Sequence, residues 1–199
     1  MKKILYFLIL SCLSSLSCYS QKRSFIEDKF LIVLDMQEYY TNSKLPEGSA
    51  QKLIDTVNYV IHNTSSDKVL YIKSIHKLLN LSISYPFVYV THDTSAMRLD
   101  KRMKLVNDNI FTKEEPITFT LKALNDFLKQ NNAKEIIIIG LLAEQCVYKS
   151  LIAGIELGYA MYVIPEAIVG KSQKSKEKVM HKLTKKGIKI LDMNTLNIK

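Results

Sequence analysis

Phe30-Leu31-Ile32-Val33-Leu34 is an unbroken apolar run that ends at a carboxylate, Asp35. Successive side chains of a strand point to opposite faces, so a run without alternation needs apolar cover on both sides. That is the pattern of a strand inside a parallel sheet with helices above and below it. A second run, Glu135 to Ile139, is the clearest strand in the chain and is closed by Gly140. Val69 to Ile72, Phe87 to Thr91, Ala160 to Ile164 and Ile188 to Leu191 read as further strands. Between them lie helical patterns. Ala50, Leu53, Ile54, Val57, Val60 and Ile61 recur at helical spacing within 49–62. Leu121, Leu124, Phe127 and Leu128 mark a helix over 118–130, residues 145–157 read as another, and 172–186 as a Lys-rich one. Strands alternating with helices predict a three-layer α/β/α sandwich with a mainly parallel sheet. At 199 residues, without an internal repeat or a long linker, the chain reads as one domain behind a short leader.

The leader is residues 1–20. Lys2 and Lys3 precede the apolar stretch Ile4 to Leu10, and Ser17 and Ser20 supply the small residues of a cleavage site before Gln21. The expectation is a signal peptide over 1–20, a mature domain over 21–199, and a protein exported to the periplasm or the cell exterior. A short buried N-terminal helix is one alternative. A lipoprotein anchored through Cys18 or Cys12 is the other, although neither cysteine has Leu three positions before it. Plain cleavage leaves Cys146 as the one thiol of the mature chain, so no internal disulfide can form, and a lone thiol in an exported protein flags reactivity.

Composition narrows the function. Hydrophobic residues are 47% and charged residues 24% of the chain, values of an ordinary globular domain, which excludes a disordered or collagen-like chain. No apolar run reaches the ~18 residues of a membrane span. The net charge is +9, and the leader takes two lysines with it. The basic segment Lys171 to Lys189 carries Val179, Met180 and Leu183 at helical spacing, so it reads as a solvated helix face and not as a nucleic-acid site. There is no Gly-x-Ser-x-Gly elbow and no Gly-rich phosphate loop.

Ligands of open parallel sheets bind at the carboxyl ends of the strands. Asp35 and Cys146 both fall on that edge. Cys146 follows Gly140-Leu141-Leu142-Ala143-Glu144-Gln145, a strand-to-helix turn, which puts it at or near a helix N-terminus. Backbone N–H groups and the helix dipole favour a thiolate there and could hold an oxyanion. A small buried hydrophobe is the equal alternative. Asp35 either caps a turn or is paired and working, because a carboxylate ending an apolar strand loses hydration. Lys113, taken alone, is one of many lysines.

Taken together, three segments resemble the motifs of the isochorismatase-like cysteine hydrolases. They are Leu31-Ile32-Val33-Leu34-Asp35-Met36-Gln37, then Lys113 with Phe119 six residues on, then Gly140 to Val147 with Gly158-Tyr159 at the end of the following helix. They occur in family order and span roughly 30–169. The resemblance implies a catalytic triad of Asp35, Lys113 and Cys146, with Asp35 as general base, Lys113 steadying the thiolate and Cys146 attacking a carbonyl carbon. It implies an oxyanion hole from the backbone N–H groups of Leu142 and Cys146, and a cis peptide between Leu141 and Leu142. Gln37, Tyr39, His76 and Phe119 are the candidate substrate contacts. Tyr39 and Tyr40 line the pocket mouth or serve helix packing, and His76 is a contact or an exposed loop residue.

Departures from the family pattern refine the expectation. Ile117-Thr118-Phe119 stands where many relatives have Ser-Ala-Phe. The nicotinamidase branch builds a metal site on an Asp-x-His, which this chain lacks; its four histidines are His62, His76, His92 and His181. No metal and no cofactor are therefore expected. The isochorismatases proper lack the cysteine and cleave a vinyl ether, so Cys146 argues for C–N hydrolysis. The expected function is an exported amidase-like hydrolase of a small molecule, working through an acyl-enzyme. The alternatives are a catalytically silent binding protein of the same fold and a thiol redox sensor. Relatives often form dimers or larger assemblies, so a homo-oligomer is also expected. The thiol of Cys146 is expected to titrate low, with the helix dipole and Lys113 outweighing Asp35.

Overall fold

The structure is a computed structural model that describes residues 25–43, 45, 48–75, 77–86, 88–94 and 96–193. The expected leader, with Cys12 and Cys18, lies outside the described residues. The strands are β1 (Phe30–Leu34), β2 (Val69–Ser74), β3 (Lys77–Leu81), β4 (Val88–His92), β5 (Ile110–Lys113), β6 (Glu135–Leu141), β7 (Ala160–Val169) and β8 (Lys189–Ile190). The helices are α1 (Glu38–Ser43), α2 (Ser49–His62), α3 (Lys122–Gln130), α4 (Tyr148–Glu156) and α5 (Gln173–Lys185).

Six strands form one sheet in the order β5-β2-β1-β6-β7-β8, and every neighbouring pair is parallel. β1 is central, with Ile32 opposite Leu70 of β2 and Ile138 of β6. All five of its residues are buried. Phe30, Ile32 and Leu34 join a core with Leu124 and Leu128 of α3, Leu151 of α4 and Leu183 of α5. Leu31 and Val33 face the other way, into a core with Leu53, Ile54, Val57, Val60 and Ile61 of α2. The unbroken apolar runs of β1 and β6 thus follow from a sheet covered on both faces. Each fully buried Ile or Leu there contributes about 1.5–3 kcal/mol of hydrophobic stabilisation.

The chain leaves β1 through α2 to β2 on one side and later crosses from β5 to β6 on the other. The direction of winding therefore reverses between β1 and β6, the point in open α/β sheets at whose carboxyl ends ligands bind. Among the described residues no helix is long and apolar enough to cross a membrane.

Three departures from the sequence reading have physical causes. Residues 88–92 do not join the main sheet; with 77–81 they form a separate antiparallel pair, from which Leu79 and Leu81 project into solvent. β5 is an edge strand whose Lys113 is its one fully buried residue, so it carries no apolar run to read. β7 continues past Pro165 to Val169 through a register shift against Ile138 and Gly140. The ammonium of Lys176 donates to the Pro165 and Ile168 carbonyls at 2.9 and 3.1 Å, satisfying groups that an interrupted ladder would leave unpaired.

Candidate active site

Four adjacent strands each deliver one polar side chain to the carboxyl edge of the sheet. In sheet order they are Lys113 at the end of β5, Ser74 at the end of β2, Asp35 just past β1, and Cys146 in the turn after β6. Ser74 and Lys113 are register partners, which brings their side chains together on one face. Asp35 takes a left-handed backbone, φ 55°, and its N–H donates to the Ile72 carbonyl at 2.8 Å. Asp tolerates that region better than most residues, and departures of this kind gather at functional sites.

Cys146 does not start a regular helix. Ala143–Val147 form a wide π-helical turn before α4. The N–H groups of Gln145 and Val147 both donate to the Leu142 carbonyl, at 3.0 and 3.3 Å. Such turns are rare and recur at functional sites. The peptide joining Leu141 and Leu142 is cis, as the resemblance implies. Glu144 fixes the turn from the side: both of its carboxylate oxygens accept from the Lys171 N–H, at 3.0 and 3.2 Å, tying the turn to the loop after β7.

Lys113 is the hub. Its Nζ lies 3.0 Å from Asp35 Oδ2, 2.9 Å from Ser74 Oγ and 3.3 Å from Cys146 Sγ. Ser74 Oγ in turn donates to Asp35 Oδ1 at 2.8 Å. Lys113 and Asp35 are almost fully buried, with side-chain exposures of 1% and 4%. A buried ion pair gains little net stability after desolvation, so its presence is better explained by chemistry than by folding.

The thiol corrects the expectation of a low pKa. Burial pushes Cys146 up to about 11 and the neighbouring Asp35 carboxylate adds to the rise, while Lys113 opposes it. The sequence reading weighed charges and dipole but could not see the depth of the sulfur. At rest the site holds a neutral thiol beside a carboxylate–ammonium pair, with the Lys113 ammonium 3.3 Å from the sulfur. Tyr40 is pushed up to about 12 by burial and then by the charges of Asp35 and Cys146, so its phenol stays protonated beside them.

The candidate contacts fare unequally. Gln37 is fully buried, and its amide is engaged by backbone. Nε2 donates to the Ser74 and Ala96 carbonyls at 3.0 and 2.8 Å, and Oε1 accepts the Ser74 N–H at 2.7 Å. Phe119 is 6% exposed, packs in the core with residues of α3 and α4, and stacks on Tyr159 with centroids 5.8 Å apart. Tyr39 packs edge-on against Tyr40, with ring centroids 5.4 Å apart. His76 lies outside the described residues. Thr118, at the departure from Ser-Ala-Phe, is satisfied in the core: its N–H donates to Ser150 Oγ, which donates to Thr118 Oγ1, each at 3.0 Å. The sequence reading missed Ser74 and Glu144. The one local signal for Ser74 was a small polar residue just beyond the apolar run of β2, parallel to Asp35 beyond β1.

A model of the isochorismatase domain matches residues 29–195, and the chain belongs to the isochorismatase family. It is 22% identical over 156 residues to YddQ, an uncharacterized isochorismatase family protein of Bacillus subtilis (strain 168), across 75% of this chain and 82% of that protein. Its fold is similar to that of an isochorismatase-like hydrolase from Alkaliphilus metalliredigens, with a TM-score of 0.68 at 13% identity, covering 85% of this chain and 96% of the other. It is also similar to the pyrazinamidase of Pyrococcus horikoshii, with a TM-score of 0.64 at 22% identity, covering 83% and 99%. That pyrazinamidase is in complex with zinc. Among the described residues of this chain, no three His, Cys, Asp or Glu side chains converge as zinc would need. The donors described do not fit that metal.

Proposed function

We propose that the protein is a cysteine hydrolase that cleaves the amide-type C–N bond of a small molecule through an acyl-enzyme on Cys146. The observation that carries this reading is the Lys113 ammonium, in contact with both the Asp35 carboxylate and the Cys146 sulfur. Asp35 takes the thiol proton as the sulfur attacks the carbonyl carbon. Lys113 stays close to the sulfur while its charge develops, and the N–H groups of Leu142 and Cys146 receive the oxyanion. When the tetrahedral adduct collapses, the C–N bond breaks and Asp35 returns the proton to the departing amine. Water then adds to the thioester with Asp35 again as base, the C–S bond breaks, and the carboxylic acid leaves with the thiol restored.

A thiol held near 11 supports hydrolysis over redox sensing, because oxidation begins from a thiolate and this site withholds one until a base takes its proton. The reading also includes export behind the 1–20 leader, a small-molecule substrate and assembly with further copies of the chain. Solved structures of similar fold include a pyrazinamidase/nicotinamidase from Streptococcus mutans, so nicotinamide and pyrazinamide belong in the first substrate panel. The test is a screen of small amides on the mature protein, with intact-mass detection of an acyl adduct. An adduct on Cys146 is expected. Turnover without one, surviving in Cys146→Ala, would sink the mechanism.

A further inference from the structure

We propose that Ser74 is a positioning residue for Cys146, and that Gln37 holds it in place. This rests on the hydrolase reading for the reaction it would serve, but its physical content is the geometry around the sulfur.

Proton counting fixes the direction of each bond. An ammonium has three N–H donors and no acceptor. Lys113 has three partners within reach, Asp35 Oδ2, Ser74 Oγ and Cys146 Sγ. Ser74 Oγ must therefore accept from Lys113, which leaves its single proton for Asp35 Oδ1 at 2.8 Å. The hydroxyl cannot rotate away without breaking one of two charge-assisted bonds. Both carboxylate oxygens of Asp35 are thus held from different sides, so the plane of the carboxylate is set. Lys113 is kept from closing on Asp35 with two donors, and its third N–H remains aimed at the sulfur.

Gln37 makes this orientation durable. Its side-chain amide pairs with both the N–H and the C=O of Ser74, at 2.7 and 3.0 Å, as a neighbouring strand would. Without the Ser74 hydroxyl, the Lys113 proton it accepted would turn to the nearest free acceptor, Asp35 Oδ1. The ion pair would tighten at the expense of the sulfur contact and of Asp35 as a base.

The test compares Ser74→Thr with Ser74→Val, two β-branched side chains of matched shape, both suited to the end of a strand. Only Thr keeps the hydroxyl. The readout is the rate at which iodoacetamide alkylates Cys146 at fixed pH, followed by intact mass, with urea midpoints measured alongside. Thr should stay within about threefold of wild type, and Val should be slower by about tenfold or more, the scale of a charge-assisted hydrogen bond. For any amide the wild type turns over, Val should lower kcat and leave KM within about twofold, whereas a loosened pocket would raise KM. Equal alkylation rates for Thr and Val overturn the proposal, whatever their shared stability. Alkylation needs no turnover, so the two ideas fail separately. Amide hydrolysis retained by Cys146→Ala would remove the hydrolase reading and leave a Thr–Val difference standing.

Discussion

Gly140 of β6 lies so close to Leu34 of β1 that a Cβ on the glycine would overlap the Leu34 carbonyl oxygen and stand 2.9 Å from its amide nitrogen. Gly140 also has φ +111°, which L side chains rarely adopt. The carboxyl ends of the two central strands are therefore pressed together one residue before Asp35 and a few residues before Cys146. This approach holds the two segments that carry Asp35 and Cys146 against each other.

Gly140→Ala should accordingly be among the most damaging substitutions in the chain. A clash with backbone cannot be relieved by a rotamer change, and the positive φ adds to it. We expect a loss of more than about 2 kcal/mol in urea unfolding, with slower alkylation of Cys146 in whatever remains folded. A urea midpoint equal to that of the wild type would show that β1 and β6 tolerate separation.

The thiol should respond to its two charged neighbours in opposite senses. Asp35 raises the titration of Cys146 and Lys113 lowers it. Asp35→Asn should therefore move the alkylation–pH profile to lower pH, and Lys113→Met should move it higher, above about 11. Lys113→Met also leaves a buried carboxylate without its cation, a change that costs about 3–5 kcal/mol in comparable sites. Profiles that overlay the wild type in both variants would mean that neither group faces the sulfur.

Loss of the proposed nucleophile should separate chemistry from folding. Cys146 packs at the edge of the core and is partly exposed, so Cys146→Ala removes one atom and leaves a small gap. Its stability should fall by no more than about 1–2 kcal/mol, while turnover should drop to the uncatalysed level. Residual hydrolysis above a few per cent would point to another nucleophile.

Asp100 provides a pH test away from the sulfur. Burial works against its charge, but the Arg102 guanidinium, the Thr41 hydroxyl and the Arg102 N–H outweigh that and hold the carboxyl down at about 2. Its folded value lies below the ordinary 3.8, so its contribution is complete above about pH 4 and is lost as pH falls toward 2. Asp100→Asn should be less stable than wild type at neutral pH, and the difference should shrink through that acid window. Thr41 sits on α1 beside Tyr40, so the same variant should loosen the tyrosine side of the site. A stability difference that stays constant down to pH 2 would place the effect elsewhere.

The sequence disclosed what depends on long apolar runs and on residues that end them. β1, β6 and α2 were readable because burial on a fixed period leaves a mark in composition, and Asp35 and Cys146 because they sit where those runs stop. β5 was not, because an edge strand buries little and its decisive residue is a lysine. The π-helical turn reads as the start of α4, since five residues cannot distinguish a wide turn from a regular one. Ser74 acquires its meaning from the β2–β5 register, and the thiol from its depth, neither of which is local in the chain. The backbone partners of Gln37 are hidden for a related reason. A polar side chain near the site suggests substrate, and only the structure gives it a backbone to hold.

The ammonium, the carboxylate and the neutral thiol sum to no formal charge, and the sheet encloses the first two almost completely. In the proposed cycle a proton passes from sulfur to Asp35 as an oxyanion forms, then from Asp35 to the amine. Negative charge only relocates among carboxylate, sulfur and oxygen, beside the Lys113 ammonium. The compartment therefore conserves its electrical total at every stage, and no counterion has to enter or leave. The chemical step should be nearly indifferent to salt, whereas any sensitivity to ionic strength would belong to the approach of substrate across the basic exterior.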